Sequence, residues 1–207
     1  AKSLGVNSPL LNSPSIALGT SEVNLLELTS AYNVLANNGD GIFVHGIRSI
    51  ENTAGKLLFM REGSGPGKVL DPFVVSTMTK MMEQTISSGT GRKAKINRPA
   101  AGKTGTSQSL RDAWFIGFTS DLVVGVWFGN DNDSPMNEIT GGTAPAILWS
   151  DFMQKAHNGV PVKSLNYVSE QKKRKLRNND KINKIISKSK RLNEQKSVFE
   201  RILDNFF

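Results

Sequence analysis

Apolar residues recur at helical spacing in three stretches of the chain. The spacing predicts helices over 25–37, 72–86 and 145–156. Asn24 with Glu27 resembles a capping box before the first helix, and Asp71 is a suitable N-cap for the second. The residues of the second helix that are predicted to face inward are Val75, Met78, Met82 and Ile86. The third helix is amphipathic, and its apolar residues are Ile147, Leu148, Phe152 and Met153.

Runs of β-forming residues lie between these helices. Residues 41–50 are predicted as strand, and 56–59 as a short returning strand. Three further runs follow in close succession, at 100–106, 113–119 and 122–128. Their short linkers leave no room for a crossover helix, so they predict an antiparallel meander. Helices before and after such a sheet indicate an α+β fold, with an antiparallel sheet and flanking helices.

The net charge of the 207-residue chain comes from its C-terminal part. Residues 1–160 contain 13 basic and 13 acidic side chains, whereas residues 161–207 contain 13 and 5, which gives the whole net charge of +8. We therefore predict a neutral folded part over 1–158 and a basic tail, flexible or helical, over 159–207. No nucleic-acid partner is expected for the folded part. Binding of an anionic surface or a nucleic acid through 163–196 is an alternative, and it would depend steeply on salt.

The residue types present exclude several kinds of catalysis. The chain has no cysteine, which rules out disulfides, thiolate nucleophiles and cysteine-ligated zinc. Its two histidines, His45 and His157, are too few and too far apart in sequence for a histidine metal site or a Ser-His-Asp triad. Asp131 and Asp133 lack the glycine and glutamate of a calcium-binding loop. No metal and no cofactor are therefore expected.

The segment 102–106, Gly-Lys-Thr-Gly-Thr, carries the candidate chemistry. It matches the end of the phosphate-binding pattern G-x-x-x-x-G-K-[ST]. However, Asn97 replaces the first glycine, and a turn and more strand follow where the pattern needs a helix. The K-T-G motif of penicillin-recognising serine enzymes is the better interpretation.

Each residue of that motif suits a defined task. Lys103 supplies a cation for an anionic substrate end and supports proton transfer nearby. Thr104 and Thr106 supply hydroxyls for a carboxylate. Gly105 lets a peptide backbone approach closely, and the N–H after it can stabilise an oxyanion. We predict Lys103 and Thr104 as catalytic residues, and Thr104, Gly105 and Thr106 as substrate contacts.

Several longer stretches resemble a single family in order and spacing. They are SIALGTSEV at 15–23, ELTSAY at 27–32, ANNG at 36–39, GTGR at 89–92, AGKTGT at 101–106, RDAWFIG at 111–117 and GGTAP at 141–145. Over about residues 1–156 the chain resembles class A penicillin-binding proteins, the bifunctional peptidoglycan glycosyltransferase/transpeptidases. The resemblance implies the C-terminal part of a transpeptidase domain with the serine β-lactamase/penicillin-binding fold. It also implies D,D-transpeptidase activity on peptidoglycan stem peptides and acylation by β-lactams.

The family's other two motifs do not precede the K-T-G segment. S-x-x-K occurs at 169–172 and 187–190, and S-x-N at 164–166, all downstream and in the basic tail. A nucleophilic serine needs neighbouring groups that activate it, which a charge-dense tail does not provide, so these matches are interpreted as chance. We expect the nucleophile on an N-terminal part of the same enzyme that precedes Ala1, and we expect this chain alone to be inactive.

The resemblance also implies a location and leaves alternatives open. It implies the outer, periplasmic face of the bacterial cytoplasmic membrane, reached through an N-terminal anchor that is not in this sequence. Alternatively, the chain is a non-catalytic relic, or a binding fragment of a split gene. Asp112 and Trp114 are interpreted as packing and turn residues, and Arg92 as a solvated loop residue near the rim of the cleft.

Overall fold

The computed structural model describes residues 1–63, 65–165 and 167, together with Asn179, Asn183 and Ser187. The chain divides into two compact units, Ala1–Tyr167 and Val168–Phe207. In its described residues the first unit contains three α-helices and seven β-strands, in an α+β arrangement. It extends beyond residue 158, where the sequence predicts the end of the folded part. In the second unit, the three described residues are helical and exposed.

The first helix, α1, spans Leu25–Ala36 and begins at the predicted cap. The Asn24 side chain accepts a hydrogen bond from the Glu27 backbone N–H at 2.9 Å. The Glu27 carboxylate in turn accepts from the hydroxyl and the backbone N–H of Ser8, at 2.5 and 3.1 Å. The Ser8 hydroxyl is the main reason why the pKa of Glu27 lies below its usual value. Glu27 therefore ties the N-terminal segment to α1.

The second helix, α2, spans Pro72–Ser87. Asp71 accepts from the backbone N–H groups of Phe73 and Val74, at 2.7 and 3.4 Å, so the predicted start is confirmed. The buried residues of α2 are Val75, Ser76, Thr79, Met82 and Ile86. The prediction is wrong for Met78, which is 37% exposed. The buried face of the helix is centred on residues 75, 79, 82 and 86, and Met78 lies at the border of that face.

A three-stranded sheet forms the centre of the first unit. Its strands are β5 (Ala101–Thr106), β6 (Asp112–Phe118) and β7 (Val123–Gly129). β6 pairs antiparallel with both neighbours, with Phe115 opposite Thr104 on one side and opposite Val126 on the other. The predicted meander is confirmed, with strand ends shifted by one residue.

Two smaller antiparallel ladders precede α2. Their strands are β1 (Asp40–Gly41), which pairs with β4 (Gly67–Lys68), and β2 (Ser49–Glu51), which pairs with β3 (Leu57–Met60). The strand predicted at 56–59 is confirmed. The strand predicted over 41–50 is wrong for 42–48, which are irregular. No described strand pairs with those seven residues, and β-forming side chains do not make a strand without a neighbouring strand.

The two faces of the central sheet are covered by separate core clusters. On one face, Phe115 packs against Trp149 with ring centres 5.3 Å apart, alongside Ile86. On the other, Phe118 packs with Met82, Ala101 and Leu165, bordered by residues of α1. α2 contributes Ile86 to one cluster and Met82 to the other, so this helix belongs to both parts of the core.

The last helix, α3, spans Ala144–Ala156. Its buried residues are Pro145, Ala146, Trp149, Ser150 and Met153. The Trp149 indole N–H lies 3.3 and 3.2 Å from the carbonyl oxygens of Gly117 and Val124, within donating distance of both. The predicted helix is confirmed, but three of its four predicted apolar residues are exposed: Ile147, Leu148 and Phe152. Trp149 fills the space over the sheet in their place.

The chain returns to the sheet after α3. Arg98 donates to the Val160 carbonyl oxygen at 3.0 Å, and Lys163 forms an ion pair with Asp121 at 2.5 Å. Leu165 is only 4% exposed. The segment 159–165, predicted from composition to begin the tail, therefore lies against the folded part.

Candidate active site

The predicted site residues lie together on β5, at one edge of the central sheet. β5 pairs with β6 on one side, and no strand in the described ranges pairs with its other side. The pleat places Lys103 and Gly105 on one face, and Thr104 and Thr106 on the other. The strand is buried where it begins and accessible from Lys103 onward. The predicted residues thus occupy an accessible sheet edge.

The backbone of residues 104 and 106 points away from β6. The Ser107 N–H donates to the Asp112 carbonyl oxygen at 3.0 Å, and the register is continuous from there through Gly105 opposite Trp114. Hydrogen-bonded positions alternate along an antiparallel pair. The N–H and C=O groups of Thr104 and Thr106 are therefore directed to the open edge, including the Thr106 N–H predicted to stabilise an oxyanion.

Lys103 places its positive charge beside the same edge. Its side chain is exposed, and the ammonium donates to the Thr104 carbonyl oxygen at 2.5 Å. That carbonyl is one of the outward-pointing backbone groups. An anion that approaches the open edge of β5 would therefore meet the ammonium and the outward N–H groups together.

Both threonine hydroxyls are held by groups of the protein. The hydroxyl oxygens of Thr104 and Thr90 lie 2.6 Å apart, in hydrogen-bond contact. The hydroxyl of Thr106 accepts a hydrogen bond from the backbone N–H of Gly141 at 3.0 Å. The first partner belongs to the turn after α2, and the second to the loop before α3. Two segments distant in sequence thus fix the side chains that β5 presents.

The loop 140–143 lies directly on the strand because it contains two adjacent glycines. A Cβ atom on Gly141 would lie 2.3 Å from the Trp114 carbonyl oxygen and 2.5 Å from that of Gly105. A Cβ atom on Gly142 would lie 2.2 Å from the Thr90 carbonyl oxygen. These distances leave no room for any side chain, so the close packing of loop and strand requires glycine at both positions.

Thr90, Gly141 and Gly142 are site residues to which the sequence assigned no role. Their stretches, 89–92 and 141–145, contribute to the family resemblance. A threonine between two glycines and a glycine pair before a helix were the available signals. Neither shows which strand such a loop will contact, because that depends on packing between distant segments.

Trp114 and Asp112 have the packing roles that the sequence analysis gave them. The Trp114 ring lies 6.2 Å from that of Trp127, and the Trp127 indole N–H donates to Asp112 at 2.9 Å. A Cβ atom on Gly105 would lie 3.3 Å from the Trp114 Cβ. A side chain at position 105 would therefore press on Trp114, which would have to shift by a few tenths of an ångström.

Some of the remaining candidates are exposed, and the others lie outside the described residues. Arg92 is exposed on a short 3-10 helix that spans Arg92–Ala94. Ser164 is exposed, whereas Asn166, the end of its S-x-N match, is outside the described residues. Both S-x-x-K matches also lie outside them, with the exception of Ser187.

The two histidines have structural contacts. His45 is exposed and its Nδ1 lies 3.0 Å from the Phe43 carbonyl oxygen. His157 is buried, with Nδ1 2.8 Å from the Met153 carbonyl oxygen and Nε2 3.0 Å from the Thr119 hydroxyl. A carbonyl only accepts, so Nδ1 of His157 donates to the Met153 carbonyl oxygen.

The described part of the chain shows neither a metal-binding cluster nor a membrane-spanning helix. No group of three or more histidine, cysteine, aspartate or glutamate side chains there could hold a metal ion. No helix there is both long and apolar enough to cross a bilayer.

Comparison with known proteins decides the family. Residues 3–154 match the penicillin binding protein transpeptidase domain. The chain belongs to this transpeptidase family. Penicillin-binding protein 1A of Neisseria meningitidis is 35% identical over 166 residues, which are 77% of this chain and 21% of that protein. Penicillin-binding protein 2D of Bacillus subtilis is 36% identical over 170 residues, which are 78% of this chain and 24% of that protein.

The fold is that of a penicillin-binding transpeptidase. The structure of PonA1 from Mycobacterium tuberculosis in complex with penicillin V superposes with a TM-score of 0.72 at 23% identity, over 82% of this chain and 51% of that one. The resemblance to class A penicillin-binding proteins is thereby confirmed, as is the predicted fold class. The chain spans about a fifth of the length of these two curated relatives, so the activity of such a whole enzyme is a proposal for this chain.

Proposed function

We propose that this chain supplies the substrate-binding strand of a serine D,D-transpeptidase that cross-links peptidoglycan stem peptides and reacts with β-lactams. The observation that carries the proposal is the open edge of β5. There, an exposed lysine, two oriented threonine hydroxyls and outward backbone N–H groups lie together in a chain of the transpeptidase family. That combination suits a peptide ending in a carboxylate.

The strand would bind and polarise the end of the stem peptide. The terminal carboxylate of D-Ala-D-Ala would accept hydrogen bonds from the hydroxyls of Thr104 and Thr106, with the Lys103 ammonium nearby. The peptide backbone would lie along the open edge, as an added strand does. The Thr106 N–H would donate to the carbonyl oxygen as it becomes an oxyanion.

The reaction requires a serine that we place outside this sequence. A serine oxygen forms an ester with the penultimate D-Ala carbonyl carbon, the C–N bond breaks, and the terminal D-Ala leaves with a proton. An amine of a second stem peptide then attacks the ester, forms the cross-link and releases the serine. Lys103 would assist these proton transfers. Loss of the nucleophile lowers the turnover of a serine hydrolase about a millionfold, so we expect no reaction without that serine.

The proposed setting follows from the same family. Membership implies an enzyme held at the outer face of the bacterial cytoplasmic membrane by an N-terminal anchor that is not in this sequence. Its partners would be stem peptides, β-lactams and the N-terminal part that carries the serine. PonA1 in complex with penicillin V, a fold relative, is a precedent for β-lactam binding by this fold.

Covalent labelling with a fluorescent penicillin tests the proposal. We expect no labelling of the purified 207-residue chain alone, because the nucleophile is absent. We expect labelling when the chain is produced together with the upstream segment that carries S-x-x-K and S-x-N. Failure of the combined pieces to label would favour a non-catalytic relic, and labelling of the isolated chain would contradict our placement of the serine.

Two lysine variants of the combined pieces locate the site. Lys103→Ala should slow labelling by about 10²–10³-fold, since it removes the charge beside the reacting groups. Lys68→Ala is a matched control, because Lys68 is also an exposed strand lysine but pairs with Asp40 on β1. It should label at the unaltered rate. Equal effects of both substitutions would contradict the assignment of the site to β5.

A further inference from the structure

We infer that Thr90 is a positioning residue: its hydroxyl donates to the hydroxyl oxygen of Thr104 and thereby turns the Thr104 proton towards the substrate carboxylate. This inference rests on the proposed function, because it concerns how β5 holds the same ligand. It assigns a task to the turn after α2, which is otherwise only a helix terminus.

The direction of the hydrogen bond follows from the chemistry of the ligand. A hydroxyl has one proton to donate and two lone pairs that accept. An ionised carboxylate only accepts, so the Thr104 hydroxyl must donate its single proton to the carboxylate when the ligand is bound. The proton in the 2.6 Å contact between Thr90 and Thr104 must then come from Thr90.

Thr106 shows the same arrangement with a donor that cannot be reversed. A backbone N–H only donates, so the 3.0 Å contact from Gly141 occupies a lone pair of the Thr106 hydroxyl and leaves its proton for a ligand. Each hydroxyl therefore accepts from the protein on one side and donates outward on the other. The two donors come from two segments that are distant in sequence and approach the same face of β5, on which Thr104 and Thr106 lie.

The position of Thr90 is fixed by the same loop that holds Thr106. Gly142 packs so closely on the Thr90 carbonyl that a Cβ atom would lie 2.2 Å from its oxygen. The same Cβ atom would lie 3.9 Å from the Thr104 methyl group. Thr90, Thr104 and Gly142 thus lie close together, and the loop limits how far the Thr90 backbone can move away from Thr104.

The first experiment measures the side-chain order of Thr104 in the 207-residue chain. Three-bond couplings between backbone and methyl carbons report the χ1 rotamer. We expect one rotamer in the unaltered chain and in Thr90→Ser, and rotamer averaging in Thr90→Val, which keeps the shape but lacks the hydroxyl. Thr77→Val is the control, since Thr77 is an exposed threonine of α2 whose hydroxyl donates to the Phe73 carbonyl at 2.9 Å. A single unchanged Thr104 rotamer in Thr90→Val would overturn the inference.

The second experiment measures the preference for a carboxylate. An N-acylated D-Ala-D-Ala peptide and its C-terminal amide are titrated against the combined pieces, and their affinities are compared. Thr90→Val should reduce the preference for the acid about tenfold, as expected for a hydrogen bond to a charged group, and Thr90→Ser should restore it. In a Thr104→Val background, Thr90→Val should have no further effect, because Thr90 acts through Thr104.

The outcomes of the two experiments separate the two proposals. Additive effects of the Thr90 and Thr104 substitutions would overturn the positioning role even if penicillin labelling is observed. Averaging of Thr104 in Thr90→Val, together with equal affinity of the unaltered protein for acid and amide, would overturn the proposed carboxylate site. In that case Thr90 would still order the Thr104 side chain, but the ordered side chain would not bind a carboxylate.

Discussion

The central sheet and the hairpin of β2 and β3 are both antiparallel, but they differ in what covers them. Phe115 of β6 is fully buried between α2 and α3. Phe59 of β3 is 44% exposed, and the other residues of that strand are exposed too, on both faces of the hairpin. The central sheet is therefore held by side-chain packing on each face. The hairpin is held by its own backbone ladder, which by itself is only marginally stable in water.

Similar residue types therefore have different roles in the two regions. Apolar β-forming residues occur in both regions, yet only those of the sheet contribute to a core. The candidate site lies at the edge of the packed region, where α2 and the loop 140–143 fix β5. A site that must hold hydroxyls in defined directions needs such rigid support.

The largest expected effect is a difference in stability between two Phe→Ala variants, one in the central sheet and one in the hairpin. Phe115→Ala should lower the free energy of unfolding by about 3–5 kcal/mol, because it leaves a cavity against Trp149. Phe59→Ala removes the same atoms from an exposed position and should cost less than about 1 kcal/mol. Urea unfolding followed by tryptophan fluorescence measures both. Equal losses would mean that the hairpin is packed as tightly as the sheet.

An intermediate effect is expected from adding a single methyl group. Gly117→Ala would place its Cβ atom 2.8 Å from the Trp149 ring and 2.9 Å from the Phe115 ring, which should cost about 1–3 kcal/mol. Gly46→Ala, in the irregular segment before β2, meets no atom within 4 Å and should change stability by less than about 0.5 kcal/mol. Thermal unfolding of the two variants compares them. A stable Gly117→Ala variant would contradict close packing over β6.

The smallest expected effect concerns the turn between β6 and β7. The hydrogen bond from Lys163 lowers the pKa of Asp121 below its usual value. A lowered folded-state pKa stabilises the protein above the unfolded pKa, and this contribution is lost as the pH falls through the folded value. Asp121→Asn should therefore reduce the acid dependence of stability, slightly because the pair is exposed to water. An identical pH profile for Asp121→Asn and the unaltered chain would show that the pair contributes nothing.

The sequence predicted those elements whose signals are local. Asn24 and Asp71 act as caps through their immediate neighbours, and alternation with tight turns was enough to predict β5, β6 and β7. The K-T-G segment could also be placed on a strand. The caps act within three residues of their own position, and the three strands pair with the strand that is next in the chain.

The failures concern contacts between distant segments. Residues 42–48 have β-forming side chains but no partner strand among the described residues. Met78 is apolar but lies at the border of the buried face of its helix. The hydrogen bonds of Thr104 and Thr106 to Thr90 and Gly141 join parts of the chain 14 and 35 residues apart, respectively, and no local pattern predicts them.

The burial of Leu165 has a practical consequence for any attempt to separate the folded part from the lysine-rich end. Composition suggests a cut at residue 158, but that cut would remove Leu165 from beneath the sheet and Lys163 from its partner. A truncation intended to test the basic stretch for anion binding should instead end after Tyr167. Cut there, the shortened protein would keep the buried Leu165 side chain and the ion pair between Lys163 and Asp121.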